Sequence, residues 1–216
     1  MFGCLRRLGC LIIVALLLVG AWYWYARVPS SPRGATTVTT ATAQWQPLSV
    51  ANAERGQRAV QSLGARSGPV YANLSASDAA SFIFLAAARQ LPPSAQNVSA
   101  AVVGDRLYVR GYVSIRELGG KEIMGPMAAL LGERDTLQLG GMINVIQPGL
   151  GQFRVRDVKF GSLDIPSVII PRLIARIRKG TVPPGIAADA FPMPLPPYIS
   201  DVRIANGRIT VYKNTQ

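Results

Sequence analysis

Apolar and polar residues alternate in three stretches of the chain, and each stretch has a turn signal near its middle. The stretches are residues 98–115, 135–160 and 199–213. Their turns fall at Gly104–Asp105, at residues 148–151 and at Asn206–Gly207. Alternation with a period of two is typical of strands with one buried face, and short Gly-containing or Asn-Gly connections are typical of hairpins. The pattern therefore predicts three β-hairpins.

The same alternation assigns the two faces of the strands. Four apolar residues share one face of the second strand: Leu107, Val109, Val113 and Ile115. Tyr108, Arg110 and Tyr112 share its other face. Leu137, Leu139, Ile143 and Val145 form the corresponding apolar stripe of the second hairpin. We expect the apolar face to lie on a core and the tyrosine face to be solvated.

Four other stretches have helical spacing or helix boundary signals. They are residues 49–63, 75–91, 125–132 and 167–180. Ser75 with Asp78 three residues later is typical of a helix start, and Pro92–Pro93 of a helix end. Three helices each precede a hairpin, so we predict an α+β domain. Its curved antiparallel sheet carries the three hairpins, and its helices pack on the concave face of that sheet.

The N-terminus has the pattern of a membrane anchor. Arg6 and Arg7 precede an uncharged run, residues 8–26, which is close to the roughly 20 residues that a spanning helix needs. Trp22, Tyr23, Trp24 and Tyr25 follow at the position of an interfacial aromatic belt. A cleaved signal peptide is the alternative interpretation. We predict a retained, single-pass transmembrane helix with the N-terminus in the cytoplasm and the domain on the extracytoplasmic side.

The segment after the anchor changes in composition. Residues 28–48 are rich in Thr, Ser, Pro and Ala and have no periodicity, which indicates a flexible tether. The predicted organisation is a cytoplasmic stub and anchor in residues 1–27, a tether in residues 28–48, and an exported domain in residues 49–216.

Composition argues against catalysis. The chain of 216 residues has no histidine, and its two cysteines, Cys4 and Cys10, lie in the N-terminal segment. Histidine-dependent hydrolysis, histidine metal sites and a cysteine nucleophile in the domain are therefore excluded. The eleven carboxylates show no paired spacing, and no phosphate-binding glycine loop is present. We predict a protein that is not an enzyme, with no catalytic residues, no metal site and no cofactor.

Positive charge indicates an anionic partner. The formal net charge is +12, and seven cations lie in one segment that has only two carboxylates: Arg154, Arg156, Lys159, Arg172, Arg176, Arg178 and Lys179. On a tethered domain such a surface suits anionic lipid headgroups. Nucleic acid is the competing partner, with Tyr108, Arg110 and Tyr112 as a stacking and phosphate-binding face. The anchor argues against it, so no nucleic-acid partner is expected.

The apolar run at residues 82–85 covers more than one side of its helix, and we predict that apolar residues of three helices line a groove for acyl chains. The candidate groove residues are Phe82, Leu85, Leu130, Leu131, Ile169, Ile170, Leu173, Ile174 and Ile177. Ordinary core packing is the alternative explanation for the same residues.

The order of several segments resembles a family of small bacterial envelope proteins. These segments are "VYANLSASDAASFIFLAAARQLP", "VSAAVVGDRLYVRG", "LQLGGMINVIQPGLGQFRVRDVKFGSLDIPSVIIPRLI" and "PLPPYISDVRIANGRITVYK". They resemble the YpmS-like and LmeA-like groups, which are distantly similar to tubular lipid-binding (TULIP) and AsmA-type domains. The resemblance covers about residues 71–213. Its most specific matches are the phrases at residues 74–78 and 161–166, and it implies a lipid-binding fold without a catalytic mechanism.

These observations lead to one functional hypothesis and one alternative. The hypothesis is a protein of the bacterial inner membrane whose exported domain binds phospholipid or a similar anionic amphipath, for envelope lipid transport or maintenance. The alternative is a non-enzymatic envelope assembly or interaction module with a solid core. The bilayer is the expected partner in the first case, and the sequence names no protein partner.

Overall fold

The computed structural model describes residues 44–87, 92–119, 122, 132–178 and 180–214. The predicted anchor, most of the predicted tether and all but the last residue of the predicted short helix at residues 125–132 lie outside this set. None of the helices in these ranges has the length and hydrophobicity of a membrane-spanning segment.

The fold is α+β, and its two sheets are antiparallel throughout the described ranges. Seven strands form the large sheet: β1 (Gln46–Pro47), β3 (Gln96–Val103), β4 (Arg106–Ser114), β5 (Arg134–Gln147), β6 (Leu150–Phe160), β7 (Leu163–Asp164) and β8 (Ala190–Pro194). Its order is β1-β3-β4-β5-β6, and both β7 and β8 pair with β6 on the side away from β5. The hairpins predicted at residues 98–115 and 135–160 are confirmed as β3–β4 and β5–β6.

The third predicted hairpin belongs to a separate sheet. β9 (Ile199–Ala205) and β10 (Arg208–Lys213) form this hairpin, and β10 also pairs with β2 (Tyr71–Leu74), so the order is β2-β10-β9. The prediction of one sheet carrying all three hairpins is therefore wrong. Alternation along a strand determines which of its faces is buried. It does not determine which other strand pairs with it, because any strand with one apolar face is a suitable partner.

Two of the helices begin where the sequence indicates. α1 (Val50–Ser62) is capped by Ser49, whose hydroxyl accepts from the Asn52 backbone N–H at 3.1 Å. α2 (Ala76–Ser81) is capped by Ser75, which accepts from the Asp78 N–H at 3.1 Å. α1 crosses α2 closely at Gly56, where a Cβ atom would lie 2.7 Å from the Asp78 carbonyl oxygen.

α2 changes its winding before the predicted end. Residues Phe82–Ala87 form a π-helix, which continues directly from α2. π-helical segments are rare and occur frequently at functional sites.

The third helix is shorter than predicted. α3 (Ile170–Ile177) occupies the middle of the predicted 167–180 helix, with Pro171 in its first turn, where a missing N–H costs little. It ends because Arg178 adopts an extended conformation.

The core lies between the inner face of the large sheet, the small sheet and the helices. Leu107, Val109, Val113 and Ile115 are all buried, as are Leu137, Leu139 and Ile143, whereas Val145 is only half-buried. The largest side chains of this core are Phe153, Phe160 and Phe191. On the opposite, outer face, Tyr108 and Arg110 are half-buried and Tyr112 is exposed. The predicted assignment of faces is confirmed.

Two short edge strands, β8 and β1, lie in segments whose sequence shows no clear periodicity. β8 lies inside the proline-rich stretch of residues 181–197, and its position at a sheet edge tolerates Pro192 and Pro194. β1 lies in the last part of the predicted tether, with Gln46 opposite Ala100 of β3. The folded domain therefore begins before residue 49.

Candidate functional site

The predicted groove residues on α3 lie in the packed interior. Ile170, Leu173, Ile174 and Ile177 are buried, and Ile169 is half-buried. They belong to the same apolar cluster as the inner face of the large sheet. Together these positions make α3 a core helix, with its other side in solvent.

An apolar crevice separates the two sheets on one side of the π-helix. Phe82 and Ile83 line it, together with Ile143 of the large sheet and Val202 and Ile209 of the small sheet. Its free volume is about 20 Å³. We call it the inter-sheet crevice. Its rim is apolar and partly open, because Phe82, Leu195 and Val202 are only half-buried.

A second apolar crevice lies between α3 and the large sheet. Phe84, Leu139 and Ile177 line it, and its free volume is about 30 Å³. We call it the helix crevice. The neighbouring residues Ile83 and Phe84 thus line different crevices, and Phe84 is held by edge contacts with two core rings. Its ring centroid lies 5.7 Å from that of Phe153 and 6.2 Å from that of Phe191.

Neither crevice accommodates an acyl chain as it stands. Each free volume, about 20 and 30 Å³, is far below the roughly 300–1,000 Å³ that is typical of a ligand pocket. Phe82 and Ile177 are the predicted groove residues that line a crevice. Leu85 is half-buried and lines neither crevice, and Leu130 and Leu131 lie outside the described residues.

Six of the seven predicted headgroup cations lie among the described residues, and they fall into two groups. Arg154 and Lys159 pair with carboxylates, at 3.1 Å to Asp189 and 3.2 Å to Asp164. Arg178 donates to the Ala190 carbonyl oxygen at 3.1 Å. The other group has no ion-pair or hydrogen-bond partner among the described residues: Arg156, Arg172 and Arg176. Lys179 lies outside those residues.

The outer face of the large sheet holds a much larger cavity. It has a volume of about 380 Å³, and the residues around it include Trp45, Tyr108, Gln138, Asp157 and Lys159. We call it the outer-face pocket. Lys159 is one of the predicted headgroup cations. Tyr108 belongs to the strand face that was considered for nucleic acid and was expected to be solvated instead.

Hydrogen bonds and burial define the electrostatics of this pocket. The Tyr108 hydroxyl donates to Asp157 Oδ2 at 3.1 Å, and the Arg106 guanidinium donates to the same oxygen. Burial raises the pKa of Tyr108, and the nearby Asp157 charge raises it further. The hydrogen bond to Asp157 likewise raises the pKa of Arg106.

Arg110, on the same strand face as Tyr108 and Tyr112, makes contacts within the protein. Arg110 lies over the Trp45 ring, 4.0 Å from its centroid, and its Nε donates to Ser99 Oγ at 3.2 Å. Of the three residues on this strand face, Tyr108, Arg110 and Tyr112, only Tyr112 is substantially open to solvent.

Trp45 was missed because it lies in the stretch interpreted as tether. Its signal was a single tryptophan in a tract otherwise poor in large residues, followed two positions later by proline. Only the pairing of β1 with β3 brings it onto the outer face.

Comparisons with known proteins find no matching family model, no matching curated protein and no matching solved structure. The two phrases that carry the resemblance have structural positions here. Residues 74–78 contain the end of β2 and the capped start of α2, and residues 161–166 connect β6 through β7 toward α3. The resemblance itself stays a hypothesis.

Proposed function

We propose that this domain binds the apolar chain of a phospholipid or similar amphipath between its two sheets. The observation that carries the proposal is the inter-sheet crevice, which is lined by apolar side chains and has a half-exposed apolar rim. Exposed apolar grooves on folded domains commonly mark binding surfaces. An N-terminal anchor in residues 1–27 would hold the domain on the extracytoplasmic side of the bacterial inner membrane.

Binding requires the crevice to widen, and the fold makes this feasible. The two sheets share no backbone ladder, so they meet through side chains alone. Side-chain rotation at Phe82, Leu195 and Val202 enlarges the crevice without breaking a strand pair. Each methylene that then leaves water contributes about 0.8 kcal/mol. A curved large sheet with the helices on its concave side is the shape that suits such a ligand.

The headgroup would meet cations that have no ion-pair partner in the described domain. Arg156, Arg172 and Arg176 are the candidates, since Arg154 and Lys159 already face carboxylates. Each such cation near an anionic surface contributes about 1 kcal/mol. This charge supports attraction to anionic headgroups, and the apolar crevice supports retention of the chain.

The test is native mass spectrometry of the full-length protein in detergent, with extraction and identification of the released lipid. We expect a bound lipid in the wild type and its loss in Leu195→Glu, which places a charge at the crevice rim. Val168→Glu is the matched control, because Val168 is 76% exposed and does not line the crevice. Lipids bound only to the anchor would be equal in both variants.

An interaction module with a solid core is the second candidate. The observation that favours it is the small free volume of the two crevices, about 20 and 30 Å³. Equal lipid content in wild type, Leu195→Glu and Val168→Glu would reject lipid binding in the crevice and favour this role.

A further inference from the structure

The outer-face pocket lies on the opposite side of the large sheet from both crevices. Its floor is formed where three strands are in register, since Tyr108 lies opposite Gly140 and Gly140 lies opposite Asp157. Because Gly140 has no side chain, the Tyr108 ring lies directly against β5, and a Cβ atom there would clash with the ring. The Tyr108 ring therefore lies close to the backbone of β5, and the space above the ring stays open.

The size of the pocket and its mixture of groups are those of a small-molecule site. Its volume, about 380 Å³, falls within the range of roughly 300–1,000 Å³ that is typical of ligand pockets. Two flat aromatic side chains, Trp45 and Tyr108, are combined with an amide, carboxylates and an ammonium group.

The charged side chains around the pocket already have partners within the protein, which argues against an anionic ligand. Asp157 accepts from Arg106, and Lys159 Nζ lies 3.2 Å from Asp164 Oδ1. Arg110 is stacked on Trp45. A phosphate or carboxylate would have to compete with these partners, whereas a neutral ligand leaves the pairs intact.

Hydrogen-bonding capacity is nevertheless available in the pocket. Gln138 lines it and makes no side-chain hydrogen bond with another described residue, so its amide can both donate and accept. Asp164, whose side chain is 76% exposed, retains free acceptor capacity on its carboxylate. These groups match a ligand that carries several hydroxyls, each of which donates and accepts.

We propose that the outer-face pocket binds a neutral sugar ring. The apolar C–H face of a pyranose would lie against the aromatic side chains, and its hydroxyls would bond to Gln138 and to the carboxylates. The ring belongs either to a free oligosaccharide or to a glycan polymer. This proposal is independent of lipid binding, because none of the residues that line the pocket lines a crevice.

The test is titration of the full-length protein in detergent with maltotriose and chitotriose, followed by calorimetry or ligand-observed NMR. We expect a dissociation constant on the order of 1 mM or tighter for at least one trisaccharide. Co-sedimentation with chitin, the insoluble polymer of the chitotriose unit, distinguishes the sources. Binding to chitin alone indicates a polymer ligand, and binding to a trisaccharide shows that a free oligosaccharide suffices.

Substitutions in the outer-face pocket test whether the sugar binds there. Gln138→Ala should weaken it about tenfold, because ligand hydroxyls would lose their partner. Trp45→Ala should weaken it at least as much, and the partly exposed position of Gln138 keeps the test valid if Trp45→Ala misfolds. Tyr112→Ala is the matched control on the same strand face, outside the pocket. Three results overturn the proposal: no binding of any of these glycans, equal binding by wild type and Gln138→Ala, or tighter binding of inorganic phosphate than of the sugars.

Discussion

The inner and outer faces of the large sheet are built from the same strands but differ in how completely side chains fill the space above them. On the inner face, Phe153, Phe160 and Phe191 are completely covered, and the free volumes nearby are about 20 and 30 Å³. On the outer face, a cavity of about 380 Å³ stays open between half-buried aromatic and charged residues. The difference shows that the number of aromatic residues on a face does not determine whether that face closes.

The reason lies in what covers each face. Helices and the small sheet cover the inner face, so its aromatic rings meet apolar partners on every side, as Phe84 meets Phe153. The outer face is only partly covered: the Trp45 ring packs against Arg110, and the space beside Tyr108 and Gln138 stays open. A closed face stabilises the fold, whereas a partly covered face keeps polar groups available for a ligand.

The largest expected effect tests the closed face. Phe153→Ala should lower the free energy of unfolding by about 3–5 kcal/mol, because the surrounding core cannot collapse fully into the space of the lost ring. Tyr112→Ala removes an aromatic ring from the outer face, where 42% of the residue is exposed and Arg134 lies 5.8 Å from the ring centroid. It should cost only about 0.5–1 kcal/mol. Urea denaturation measures both, and equal losses would contradict the comparison.

An intermediate effect tests the floor of the open face. Gly140→Ala should destabilise the protein by about 1–3 kcal/mol, since the new methyl group displaces the Tyr108 ring. In a Tyr108→Ala background the same change should cost little or stabilise, because alanine restricts the unfolded chain more than glycine does. A double-mutant cycle in urea measures this coupling. Additive effects would mean that the ring does not rest on Gly140.

The smallest effect concerns pH. Burial raises the pKa of Tyr108 above its ordinary value of 10.0, so the unfolded chain loses this proton at a lower pH than the folded one. The resulting stabilisation is fully present below pH 10 and is lost as the pH rises through the folded pKa. Stability measured on both sides of pH 10 should therefore fall less in Tyr108→Phe than in wild type, and identical falls would contradict the assignment.

Local elements were predictable because their signals are local. Ser49 and Ser75 cap the first two helices, and Gly104–Asp105 and Asn206–Gly207 form turns, since each depends on residues within one helical turn or one hairpin. The separate small sheet was not predictable in the same way. Ile209 has the same alternating surroundings as the strands of the large sheet, yet it pairs with Leu74, which lies far away in the chain.

For the candidate sites too, the local pattern was predictable and the surroundings were not. The apolar side of α3 was visible as a stripe, but whether it faces a core or a groove depends on what lies opposite, and Ile170, Leu173 and Ile174 prove to be buried. The basic cluster was visible as charge, but pairing with Asp189 and Asp164 neutralises Arg154 and Lys159. A charge count over the segment includes Asp164 but does not reveal Asp189, which lies 35 residues from Arg154 in the chain.

The amino-acid sequence by itself determined which side of each long strand is buried, where two helices start and where the main hairpins turn. These properties follow from side-chain periodicity and from backbone preferences that act over a few residues. The tertiary structure alone decided that the third hairpin forms its own sheet, that Trp45 lies on the outer face, and that Gly140 supports the Tyr108 ring. These features depend on long-range pairing and on the volume left between packed elements, and neither quantity is encoded in any single stretch of residues.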